Sequence, residues 1–123
     1  MRNSKNKERC TKVTFSKHPG VCRTYGALQL AYAQQLEADE NVAEFRCNIP
    51  LTDIGLEDGI FTTDFLCTKT DGDLMVRECV YRKKLSLPRT GLHLDASRNY
   101  WLRRGVNDWA LVIEMEGSSD AEE

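Results

Sequence analysis

Asp64 and Glu78 stand on either side of an Asp71-Gly72 pair in this 123-residue chain, within the run FTTDFLCTKTDGDLMVRECV at residues 61–80. Phe61, Phe65 and Leu66 lead into the Asp-Gly pair, and Leu74, Met75, Val76 and Val80 lead out. That pattern predicts two antiparallel strands joined by a tight turn, with Asp-Gly taking the positive φ angles it needs. The hairpin brings Asp64 and Glu78 near one another at the end away from the turn. Two carboxylates there could share a divalent cation. Mg²⁺ suits such a place because it keeps several waters and needs few carboxylates, and the arrangement is the core of a metal-dependent nuclease site. The plain alternative is a surface hairpin with one acid per strand, which needs no function.

A second set of donors has the spacing C-x7-H-x3-C: Cys10, His18 and Cys22. With Cys47 or His93 as a fourth ligand these could hold a tetrahedral zinc. The spacing matches no common zinc signature, and buried free thiols with a turn histidine are the competing account. Five cysteines cannot all pair, and the basic start MRNSKNKERC has no apolar stretch after it. Reduced thiols in a cytoplasmic compartment are therefore expected. No apolar run approaches the roughly eighteen residues of a membrane span, so no membrane partner is expected.

The elements that must position these groups follow from periodicity. Residues 24–38 predict a helix with Thr24 as N-cap and Leu28, Ala31, Tyr32 and Leu36 on its apolar face, Gln29 lying off it. Val42, Phe45, Cys47 and Ile49 predict a strand of imperfect alternation, and residues 52–59 a loop. After the hairpin comes a basic connection ending at Pro88. A helix over 89–104 follows, with Leu94, Ala96, Tyr100 and Trp101 toward the sheet and Gly105 as its C-terminal cap. Residues 109–113, WALVI, predict an interior strand. Residues 12–15 predict a short edge strand inside an otherwise mobile basic arm.

With 41% apolar and 29% charged residues the chain can build one modest core. The expected division is a basic arm over 1–23, one domain over 24–114 and an acidic disordered tail over 115–123. The fold class is α/β (α+β), a small mixed sheet flanked by helices.

A net charge of −2 conceals segregation: residues 1–23 carry seven Lys/Arg against one acid, 77–104 eight against two, and 24–76 ten acids against two bases. Arg82, Lys83, Lys84, Arg89, Arg103 and Arg104 could form a phosphate-tracking rim beside the carboxylates, or only a solvated face. The glycines form no phosphate loop, and no Ser/His/Asp or Cys/His nucleophile spacing is present.

Residues 24–114, with TDFL, the DG turn and an E-x-x on the next strand, then NYW before RRGVNDWALVIE, resemble the N-terminal nuclease domain of the TnsA transposase subunit. The resemblance implies a restriction-endonuclease-like fold of the PD-(D/E)xK type and a Mg²⁺ site built from a helix glutamate, the aspartate of a PDFL motif and an E-x-K tripeptide. Residue by residue, Asp64 matches the aspartate and Glu78 the first position of E-x-K. Val80 stands at the lysine position, Gln29 at the helix glutamate, and Thr63 where proline is usual. Valine cannot stabilise an anion and glutamine supplies no charge. The loss of one preorganised donor typically costs ~10² to 10³ in rate.

The preferred expectation is a nuclease-fold protein whose chemistry has decayed and which binds a nucleic acid or a nucleic-acid-processing protein. The settings are a transposition accessory protein or a phage-type inhibitor such as an anti-CRISPR protein. The alternative is a live Mg²⁺-dependent endonuclease that uses Asp64, Glu78, the Cys79 carbonyl and a lysine relocated to Lys83 or Lys84. Oligomeric state is left open.

Overall fold

A computed structural model describes residues 9–51 and 61–114. The expected loop at 52–59 and the acidic tail at 115–123 lie outside the described residues, as do residues 1–8 of the basic arm. The chain is a mixed α+β domain, as its pattern predicts. In order it runs β1 (Cys10–Thr14), β2 (Val21–Tyr25), α1 (Ala27–Ala38), β3 (Val42–Leu51), β4 (Phe61–Lys69) and β5 (Leu74–Cys79). A 3-10 turn (Arg82–Lys84), α2 (Pro88–Arg103) and β6 (Asp108–Val112) complete it.

β1 and β2 form a separate antiparallel hairpin, and β3-β4-β5-β6 form the sheet. The β4–β5 turn is the expected one, with Gly72 at φ 96°. β6 joins β5 in parallel, with α2 as the crossover between them. Pro88 begins α2 at a position whose N–H has no helical partner in any case.

Two core clusters lie on opposite faces of the sheet. Ala33 and Leu36 of α1 pack with Phe45, Phe65, Cys67 and Met75, whereas Trp101 of α2 packs with Leu51, Phe61 and Val76. Met75 and Val76 are neighbours on one strand and so point to opposite sides.

Four expectations need correction. The boundary at residue 23/24 falls inside β2, and Cys22 of that strand is fully buried in the α1 core, so the hairpin belongs to the domain. Thr24 is a strand residue whose hydroxyl faces the Thr11 carbonyl, and the helix starts after Gly26 at φ 88°. The buried stripe of α1 is Gln29, Ala33 and Leu36, which leaves Ala31 exposed; a polar residue needed inside turned the helix away from its most apolar face. The run WALVI is an edge strand, paired on one side to β5 among the described residues and only half-buried.

The broken alternation of β3 has a physical origin. Phe45 and Cys47 pack on the α1 side, while Ile49 and Leu51 pack on the α2 side. On β4, Phe65 and Cys67 face α1, while Phe61 packs with the α2 core and Thr63 accepts a bond from Trp101 of α2. Odd positions on an unbroken strand share one face. Both strands therefore change face at one level, where Asn48 sits at φ 57° opposite Asp64. Asparagine is among the few residues that tolerate this conformation.

Candidate functional site

Asp64 and Glu78 do meet, and Gln29 joins them. The β4–β5 ladder ends at Phe65↔Arg77, and beyond it the two acids continue the pairing through their side chains. Glu78 Oε1 accepts from the Asp64 N–H at 2.9 Å, and Asp64 Oδ2 accepts from the Cys79 N–H at 2.8 Å. From α1, Gln29 Nε2 donates to Asp64 Oδ1 and to Asn48 Oδ1, each at 2.9 Å, while its Oε1 accepts from the Tyr25 N–H at 2.8 Å. Glutamine suits this place because it needs both donors and an acceptor, which a glutamate could not supply.

Glu78 is 1% exposed. Burial, reinforced by repulsion from the Asp64 carboxylate, raises its pKa well above the ordinary value, although hydrogen bonds from Ser97, the Asp64 backbone and Thr63 oppose the shift. Its Oε2 lies 2.6 Å from Ser97 Oγ, which accepts from Trp109 Nε1 at 3.1 Å. Trp101 Nε1 donates to Thr63 Oγ1 at 2.9 Å. The two tryptophans expected as plain core thus feed the hydroxyls around the buried carboxyl.

These residues do not fit a Mg²⁺ ion as they are folded. A hard cation wants charged oxygens with room for water. Here the carboxylates are closed on the chain's own donors, and Glu78 favours its neutral form. Cys79 contributes its N–H to the cluster. Lys83 and Lys84 are exposed on the 3-10 turn with Arg82, whose backbone and guanidinium bond Glu114. Arg89 is exposed at the start of α2, and Arg103 and Arg104 at its end, with the Arg104 guanidinium 3.6 Å from the Tyr100 ring centroid.

The soft donors assemble elsewhere and differently from the expected set. His18, Cys22 and Cys47 can hold a metal ion: their ligand atoms all lie within 4.8 Å of one another. Cys22 Sγ is 3.2 Å from Cys47 Sγ, which is 3.4 Å from His18 Nε2. Sulfurs on one tetrahedral zinc stand about 3.7 Å apart for Zn–S bonds of about 2.3 Å, so little movement is needed. Cys10 is not a member. It pairs with Tyr25 while Cys22 pairs with Val13, three positions or roughly 10 Å along the strand. His93 is not a member either; it is buried on α2 against Phe61, ring centroids 5.5 Å apart.

The electrostatics match a ligand set. Cys47 is pulled toward its thiolate by the Cys22 hydrogen bond and by His18, and Cys22 is correspondingly raised. In effect the two sulfurs share one proton. His18 Nδ1 faces the Gly20 carbonyl at 3.4 Å, an orientation that leaves Nε2 toward the thiols. Cys67, by contrast, is a core thiol that burial pushes up to about 12.

Sequence reasoning missed Asn48 and Ser97, and noted Thr63 only as the residue standing where the resemblance implies proline. Only Asn48 carried a signal, as a turn-favouring residue inside a strand pattern. No protein-family model matches the chain, and no curated protein matches it.

Proposed function

We propose that this chain is a non-cleaving domain of TnsA-like, PD-(D/E)xK-type build that works as a nucleic-acid binding module. The observation that carries the reading is Glu78: a nuclease carboxylate must be charged and open to a metal, and this one is buried and bonded to its own chain. With Gln29 and Val80 at the positions of the family's glutamate and lysine, the acids now join β4 to β5 and both strands to the helices. The exposed basic groups at both ends of α2 supply the binding surface, with Arg89 and Arg103 about 21 Å apart along the helix axis. A transposition accessory protein or an inhibitor of a defence nuclease are the settings this reading fits.

The acids Glu37, Asp39, Glu40 and Glu44, which could otherwise face the basic nucleic-acid channel of a partner enzyme, are less suited to that role. Glu37 is bonded to Ser16 and Lys17, and Glu44 to Arg46.

The metal at His18, Cys22 and Cys47 is proposed to be zinc, because two thiolates and an imidazole are its preferred donors. It pins the hairpin to β3. Metal analysis of the purified chain should find close to one zinc, lost in Cys47→Ser.

Plasmid cleavage in Mg²⁺ or Mn²⁺ and duplex binding by titration test the function. Binding without cleavage is expected, weakening with salt. Reversal of Lys83, Lys84, Arg103 and Arg104 to Glu should weaken it tenfold or more. Cutting that depends on Asp64 would overturn the reading.

A further inference from the structure

Among the described residues His18, Cys22 and Cys47 leave a four-coordinate ion one ligand short, and the chain's other cysteines and its second histidine are placed elsewhere. Of its five cysteines and two histidines, Cys10 lies three register positions along the hairpin. Cys67 is buried on β4, Cys79 is on β5 and His93 is on α2. Among the described residues the group has three members, and no carboxylate joins them.

Burial indicates where the fourth position falls. Cys22 is fully buried, whereas His18 and Cys47 are half-buried, so the three donors lie at the boundary between core and solvent, where an added ligand can reach them. Zinc with two thiolates and a neutral imidazole has no net charge, and it accepts a further anion more readily than a three-thiolate centre would. Three protein ligands with an open fourth place is the build of zinc sites that exchange ligands; four protein ligands mark closed structural ones.

From this geometry we infer that the His18–Cys22–Cys47 centre keeps an exchangeable fourth position for a monodentate anionic donor, hydroxide in water and a thiolate when one is supplied. The inference rests on the zinc reading above. A thiolate could come from a small thiol or from a cysteine of a bound protein.

The test loads the full chain with Co²⁺, whose visible bands report tetrahedral thiolate coordination, and then titrates azide or 2-mercaptoethanol. Bands that need Cys47, followed by a saturable shift with each probe, are expected. Bands that form but ignore both probes would overturn the inference and leave the metal centre standing as a closed site. Bands no different from those of Cys47→Ser would remove the metal centre itself. His18→Gln, at a half-exposed turn, provides a second variant that keeps the fold by circular dichroism and should abolish the probe response. Cys10→Ser should change neither bands nor shift; loss of the bands in it would assign the fourth ligand to Cys10 of a second copy and overturn the inference.

Discussion

At the level of Asn48 and Asp64 the polar side chains are turned on one another, whereas at the turn end of the β1–β2 hairpin, beside β3, three donors converge. Both clusters draw on residue types that serve metal chemistry. They differ in how burial meets charge. Gln29, Asp64 and Glu78 are at most 6% exposed, and there the fold favours a neutral carboxyl and a fully engaged amide. His18 and Cys47 keep one side toward solvent, and there the fold favours a thiolate. The acid pair predicted by the hairpin pattern is therefore closed on its own chain, while the capacity for a metal rests on a different part of the chain.

Removing metal is the strongest way to test that contrast. A ligand at a thousand times its Kd stabilises a fold by about 4 kcal/mol. Chelation of the zinc-loaded chain should thus lower Tm by on the order of 10 °C in a thermal scan. His18→Gln should start from the lowered value and ignore the chelator. An unchanged Tm in the parent chain would dissolve the contrast.

Gln29→Glu should come next. It replaces the N–H group that bonds Asp64 and Asn48 with an acceptor facing two acceptors, and buries a like charge beside Asp64. A loss of roughly 2–4 kcal/mol in denaturant unfolding is expected. Millimolar Mn²⁺ should not restore it, because the Asp64 and Glu78 oxygens stay engaged by the Cys79 and Asp64 N–H groups and the Ser97 hydroxyl. Recovery with Mn²⁺ would move the acid cluster to the metal-binding side of the comparison.

The smallest effect sharpens the electrostatics. Glu78 has a folded pKa above its unfolded one, so the fold binds this proton more tightly. Its contribution is fully present below the unfolded value of ~4.3 and is lost as pH rises through the folded value. Glu78→Gln keeps the shape and removes that loss. At neutral pH it should stabilise the chain by about 1 kcal/mol, a few degrees in Tm, and flatten the dependence above the unfolded pKa. A destabilised Glu78→Gln would mean that the carboxyl is charged in the fold.

The sequence displayed the β4–β5 hairpin, α2 with its Pro88 and Gly105 boundaries, and the meeting of Asp64 with Glu78, because turn chemistry and capping are local. It concealed whatever depended on distant partners. Periodicity put Gln29 off the apolar face of α1, and only the resemblance placed it at the site; its burial follows from tertiary hydrogen bonds that a helical pattern does not register. Cys10 looked like a ligand because spacing along the chain does not register a strand pairing. Cys47 was only one candidate for a fourth place because its meeting with Cys22 joins two strands across 25 residues.

One further feature bears on how a metal would arrive. The Glu37 carboxylate at the end of α1 accepts from the Ser16 N–H and the Lys17 N–H at 3.1 Å each, and from the Ser16 hydroxyl, while the Phe45 N–H reaches the Lys17 carbonyl at 3.0 Å. The loop that bears His18 is thereby clasped to both α1 and β3 by contacts that involve no ion. Capture would then proceed as a single encounter with a waiting set of donors, paced by the supply of metal and by proton release from the thiols, and not by the closing of a chain.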